Sequence, residues 1–89
     1  MFNPRLVHEE LFQKIRIMAN RSRFKMLEMT QTEPKTVTEL SKVTNLAYNK
    51  CADYVSMLEK EGLIEKKRLG RETMVKSTVD LSKLKIRSR

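Results

Sequence analysis

Tryptophan is absent from this 89-residue sequence, and cysteine and histidine occur once each. A lone cysteine excludes an internal disulfide framework and fits an intracellular chain. With one histidine beside it, a Cys/His metal site within a single chain is not expected, and no cofactor is expected either. Long apolar runs are missing too, so no segment reads as a membrane span. The opening MFNPRLVHEE carries acidic residues and no apolar stretch, which argues against a secretory signal. Paired carboxylates, Ser/His pairs and phosphate-binding glycine loops are also lacking. His8, beside Glu9, reads as a surface residue, and the chain is not expected to be an enzyme.

What is present in excess is positive charge. Nineteen Lys and Arg stand against eleven Asp and Glu, a net +8. From Lys66 onward there are nine cations against two carboxylates, Glu72 and Asp80, so seven of the eight net charges lie in the last quarter of the chain. Such a distribution points to a polyanion such as nucleic acid, the plain alternative being a solvated basic surface. The length suits one domain, 1–89, with a small core to which a partner chain can add. A basic, partly disordered tail is expected over about 85–89.

Apolar periodicity predicts the elements. Asn3-Pro4 opens a helix over about 4–18, in which Val7, Leu11, Ile15 and Met18 recur on one face. Leu6, Phe12 and Ile17 widen that stripe. It either covers the next helices or forms a dimer seam, and the breadth favours a homodimer joined through Leu6, Val7, Leu11, Phe12, Ile15 and Met18. Asn20 can cap a second helix, about 21–31, with Phe24, Leu27 and Met26 inward. After a polar connector containing Pro34 comes a helix over about 38–44. Thr36 with Glu39 has capping-box spacing, Thr38 is an equally good cap, and Val37 reads as a minimal strand facing the core. Leu40 and Val43 are its buried pair. A turn through Thr44, Asn45 and Leu46 leads into a helix over about 47–61.

In that last helix Cys51, Val55 and Leu58 fall on one stripe and belong to the core. Cys51 there reads as a small buried apolar residue rather than a redox or metal switch. The opposite side holds Asn49, Asp53, Ser56 and Lys60, flanked by Tyr48, Lys50 and Ala52. An ordinary surface helix would carry Glu–Lys pairs there. Short and planar groups instead suit contact with base edges and phosphates, against the alternative of a merely solvated face. Asp53 is discordant: it repels phosphate, so in a groove it has to face a cytosine amino group or a neighbouring cation.

The only two glycines sit where a backbone reversal is needed. Gly62 follows Glu59-Lys60-Glu61 as a left-handed helix end, and Gly70 lies in Arg68-Leu69-Gly70-Arg71-Glu72 as a hairpin turn. Strands are expected over about 63–68 and 72–78. Thr78 or Asp80 can then cap a short C-terminal helix, 81–86, with Leu81 and Leu84 inward. The fold class is mainly α with a small β-hairpin (α+β).

That order of elements resembles the winged helix-turn-helix DNA-binding domains of prokaryotic transcription regulators. The resemblance covers roughly residues 20–78 and is carried by TVTELSKVTNL and by YVSMLEKEGLIEKKRLGRETMV. The latter is similar to the vLekeGLIek…gr…y ending of ArsR-like, MarR-like and small archaeal winged-helix proteins. It implies a recognition helix bearing Tyr48, Asn49, Lys50, Ala52 and Asp53, a wing tip with Arg68 and Arg71, and Thr38 near phosphate. Metal-sensing ArsR-like repressors have a CVC element where Thr36, Val37 and Thr38 stand, so thiolate ligands are missing and metal sensing of that kind is not expected.

The expected function is a sequence-specific, double-stranded-DNA-binding transcription regulator, cytoplasmic and nucleoid-associated. The recognition helix 47–61 enters the major groove while Lys66, Lys67, Arg68 and Arg71 hold the backbone or minor groove. Two alternatives remain open: a winged helix used for protein interaction or assembly, and a non-specific chromatin-type DNA-binding protein.

Overall fold

The structure is a computed structural model that describes residues 4–83, with side-chain surroundings from His8 onward. Four helices and a three-stranded antiparallel sheet follow one another as α1 (Pro4–Met18), α2 (Arg21–Met29), β1 (Lys35–Thr36), α3 (Val37–Thr44), α4 (Tyr48–Lys60), β2 (Ile64–Leu69) and β3 (Glu72–Ser77). A single 3-10 turn, Leu81–Lys83, comes last. Strand order is β1-β3-β2.

Local chemistry sets most boundaries. The Asn20 side chain accepts from the Arg23 amide at 2.9 Å and starts α2. The second helix stops at Met29, two residues before the expected 31. The Thr30 hydroxyl folds back onto the Met26 carbonyl at 2.8 Å, and the Gln31 amide group turns away to bridge the Leu27 and Val79 carbonyls. At α3 the capping box forms on Thr36: its hydroxyl accepts from the Glu39 amide and the Glu39 carboxylate accepts from the Thr36 amide. The helix therefore begins at Val37, and Thr38 is not its cap. Thr36 also closes β1, whose two residues pair with Val75 and Met74.

Both helices of the central pair end in a left-handed residue. Asn45 (φ 59) does so after α3 and Gly62 (φ 73) after α4. Beyond α4 the Leu63 amide reaches the Leu58 carbonyl and the Gly62 amide the Glu59 carbonyl, each at 2.9 Å, a Schellman arrangement. Leu63 is spent on that motif, so β2 starts one residue later than expected, and its ladder with β3 runs from Ile64–Ser77 out to Leu69–Glu72. Gly70 (φ 63) occupies the first of the two loop positions, as a type II′ hairpin requires. Asp80 caps the final turn through the Ser82 amide at 3.0 Å. The helix expected over 81–86 is one 3-10 turn as far as residue 83; Leu84 and the tail 85–89 lie outside the described residues.

The core gathers Ile17, Met26, Leu27, Val37, Leu40, Cys51, Val55, Leu58, Leu63, Ile64 and Val75. Two expectations of burial fail: Phe24 is 38% and Val43 44% exposed. The buried positions are instead Met26 and Leu27 in α2 and Val37 and Leu40 in α3. The α1 stripe is also divided. Ile17 is buried and Met18 packs beside it, while Leu11, Phe12 and Ile15 are each more than half exposed. The side chains of Leu6 and Val7 lie outside the described residues. At the wing root the buried Thr30 and Ser77 hydroxyls meet at 2.7 Å. The Ser77 amide adds a bond to the Thr30 carbonyl at 3.1 Å, and Lys76 Nζ reaches the Gln31 carbonyl at 2.8 Å.

Candidate nucleic-acid interface

The stripe of Cys51, Val55 and Leu58 is fully buried, which turns the other side of α4 outward. Tyr48, Asn49, Lys50 and Asp53 are exposed, with Tyr48 showing half of its surface. Ala52 is half-buried and packs against the core. Thr38 is exposed in the first turn of α3. Ala47, which precedes α4, offers no side-chain cap, so the first-turn amides keep the donor capacity and the positive end of the helix dipole that a cap would otherwise occupy.

Alternation in the hairpin splits its cations between two faces. Lys66 pairs in register with the buried Val75 and Arg68 with Thr73, so both lie on the side that meets α4. Lys67 pairs with Met74 on the other side. Lys66 is not a free wing cation: its ammonium lies 3.3 Å from the Glu59 carboxylate and 3.4 Å from the Ser56 hydroxyl, tying the wing to α4. Arg68 Nε donates to the Gly70 carbonyl at 3.1 Å and stiffens the turn. Arg71 stands exposed in the loop.

Three participants carry no sequence signal of their own. Tyr54, half-buried on α4, has the Arg23 guanidinium 4.7 Å and the Lys50 ammonium 4.9 Å from its ring centroid. Both distances are within cation–π range. Lys50 and Tyr54 are four apart, the spacing that brings helix neighbours together, but Arg23 reaches the ring only through tertiary packing. Glu59 is the third, since its partner Lys66 comes from the next element.

The remaining candidates are plain. Cys51 is buried with its Sγ 3.7 Å from the Val37 carbonyl, and burial pushes its thiol pKa up, the opposite of a reactive thiolate. Thr36, at the CVC position, has its hydroxyl committed to the capping box. Among the described residues no group of three His, Cys, Asp or Glu could hold a metal ion, and no helix is long and apolar enough to cross a membrane.

The sequence pattern of the winged helix-turn-helix family matches residues 13–78. No curated protein sequence matches the chain. Among solved structures, the chain is similar to reduced HlyU from Vibrio cholerae, with 19% identity, a TM-score of 0.79, and coverage of 90% of this chain and 84% of that one. It is also similar to the homodimeric winged helix-turn-helix DNA-binding domain of Mb0332 from Mycobacterium bovis, a possible ArsR-family regulator. There the identity is 16%, the TM-score 0.81, and coverage 94% of this chain and 79% of that one. NolR from Sinorhizobium fredii gives 20% identity and a TM-score of 0.78, over 94% of this chain and 86% of that one. At these identities the likeness is one of fold.

Proposed function

The chain belongs to the winged helix-turn-helix family, and from that premise we propose that it is a sequence-specific duplex-DNA-binding transcription regulator that works as a homodimer. The observation that carries this reading is the outer face of α4. Tyr48, Asn49, Lys50 and Asp53 are exposed there, no Glu–Lys ladder covers them, and a hairpin with exposed Lys67, Arg68 and Arg71 stands alongside. Asn49 suits a bidentate contact to adenine and Lys50 a guanine edge or phosphate. The uncapped first turn of α4 and Thr38 add donors for backbone phosphates. The wing supplies sequence-independent attraction, and cytoplasmic, nucleoid-associated localisation follows from that role.

Homodimerisation is proposed through α1. Leu11, Phe12 and Ile15 are large, apolar and more than half exposed within two turns. Leu11 and Ile15 also line an apolar groove of about 610 Å³ with Met18, Phe24, Leu63 and Val79. Burying the exposed half of each side chain against a second copy is worth about 1 kcal/mol per residue.

The test is selection from random duplex DNA, followed by binding measurements on the selected site and on random duplex over a salt series. Asn49→Ala is expected to cost about 1–3 kcal/mol on the selected site and little on random duplex. Arg68→Ala with Arg71→Ala should weaken both and lower the salt slope by roughly 0.9 per lost phosphate contact. Equal losses for Asn49→Ala on both duplexes would favour a non-specific, chromatin-type protein. No salt-dependent binding at all would favour a protein-interaction module.

A further inference from the structure

We infer that Arg23 is the positioning residue through which α1 and α2 set the placement of the recognition helix. Its effect on DNA rests on the reading above; its effect on α4 does not.

Arg23 is half-buried on α2, and its side chain touches both α1 and α4. Its Nε donates to the Ile17 carbonyl at 2.6 Å. That carbonyl lies in the last turn of α1, where the helix itself supplies no amide for it. The guanidinium carbon lies over the Tyr54 ring, 4.7 Å from its centroid, and Nη1 lies 4.0 Å from the Met57 sulfur. Tyr54 and Met57 are three apart on α4 and so share one side of it. A planar, delocalised cation with several donors can satisfy the carbonyl in its plane while its face meets the ring. A lysine ammonium could meet only one of the two demands.

The same ring carries Lys50 Nζ at 4.9 Å, and Lys50 belongs to the outward face with Asn49 and Asp53. Arg23 thus fixes the ring against which one of the candidate DNA-contacting side chains rests. Lys14 makes a second crossing from α1 at the far end of α4, donating from Nζ to the Glu61 carbonyl at 2.9 Å. The two anchors together hold the C-terminal half of α4, Arg23 at Tyr54 and Met57 and Lys14 at Glu61. Losing one lets the helix rotate. With side-chain tips about 6 Å from the axis, a rotation of roughly 20° shifts an outer side chain by about 2 Å, more than hydrogen-bond geometry to a base tolerates.

Two measurements test this, one of them free of DNA. Tyr48 and Tyr54 are the only tyrosines in a chain without tryptophan, so in a Tyr48→Phe background the near-ultraviolet circular dichroism band of tyrosine reports Tyr54 alone. Arg23→Gln should diminish that band and speed amide exchange in the turns of α4 that carry Tyr54 and Met57, with helix content and solution mass unchanged. Arg23→Lys should restore most of the band and part of the protection. On the selected duplex, with Tyr48 intact, Arg23→Gln should bind about tenfold more weakly with an unchanged salt slope, because Arg23 holds the helix and not a phosphate.

Wild-type exchange in α4 of Arg23→Gln overturns the inference, and so does a salt slope lowered by about 0.9, which would make Arg23 a phosphate contact. Should Arg23→Gln fail to fold, Tyr54→Leu against Tyr54→Phe carries the same test, and unchanged α4 exchange in Tyr54→Leu overturns it. Wild-type protein that binds no duplex refutes the DNA reading and leaves the exchange result to decide the role of Arg23.

Discussion

Glu59 and Lys66 face each other across the junction of α4 and the wing, and the pair is partly exposed, so its contribution to folding is at most about 1 kcal/mol. Its larger effect is on charge. The carboxylate neutralises a wing cation that would otherwise be available to phosphate and adds a negative potential beside the proposed groove surface. Glu59→Gln is therefore expected to tighten binding to any duplex and to steepen the salt slope by about 0.9 as Lys66 is released, with little change in melting temperature. A salt series on one random duplex, wild type against variant, reads this directly. An unchanged slope would mean that Lys66 lies too far from the backbone in the complex. Lys66 was legible in the sequence as a cation on a basic strand. Its engagement was not, because nothing local links residue 66 to a carboxylate one element earlier.

Elements whose ends depend on neighbouring residues were the most readable ones. Asn20, the Thr36–Glu39 box, and Gly62 and Gly70 each act within a few residues, and each stands where its residue type predicts. What periodicity could not decide was how much of an apolar face a small core can absorb, which is why Phe24 and Val43 lie open. The box itself makes a pH prediction. Hydrogen bonding to the Thr36 backbone amide, with lesser help from the Thr36 hydroxyl, Lys35 and Lys42, holds the Glu39 carboxyl below its ordinary 4.5. A carboxyl depressed in the folded state stabilises above its unfolded value, and that stabilisation is lost as pH falls through the lowered folded value. Glu39→Gln keeps an acceptor at this position but cannot titrate. Thermal unfolding should show wild type ahead of Glu39→Gln near neutral pH, with the gap closing below pH 4.5. A gap that persists into acid would place the difference elsewhere than in the carboxylate.

Among the described residues, the outer side of α4 with the wing and the exposed part of α1 both stand outside the core. The sequence marked both, but left open whether the α1 stripe would be used up inside the chain. Ile17 is, whereas Leu11, Phe12 and Ile15 are not. A charged substitution at these exposed positions tests the proposed dimer, so Phe12→Glu combined with Ile15→Glu is expected to give a monomer by mass in solution. Helix content should be unchanged and affinity for a two-half-site duplex at least about tenfold lower. A variant that keeps the mass of a dimer would move the interface away from α1.

The short β1 has a mechanical consequence for the hairpin. Only Val75 and Met74 have a third strand beside them, and the root is pinned further by the Thr30–Ser77 hydroxyl contact and by Lys76 on the Gln31 carbonyl. From Arg68–Thr73 outward the ladder continues as a two-stranded ribbon to Leu69–Glu72, and isolated ribbons are only marginally stable. The wing is thus a cantilever, clamped at Ser77 and compliant at Gly70. Amide exchange along β3 should slow progressively from Glu72 to Ser77, and in the proposed complex a free end of that kind would follow grooves of differing width while its base stays fixed beside α4.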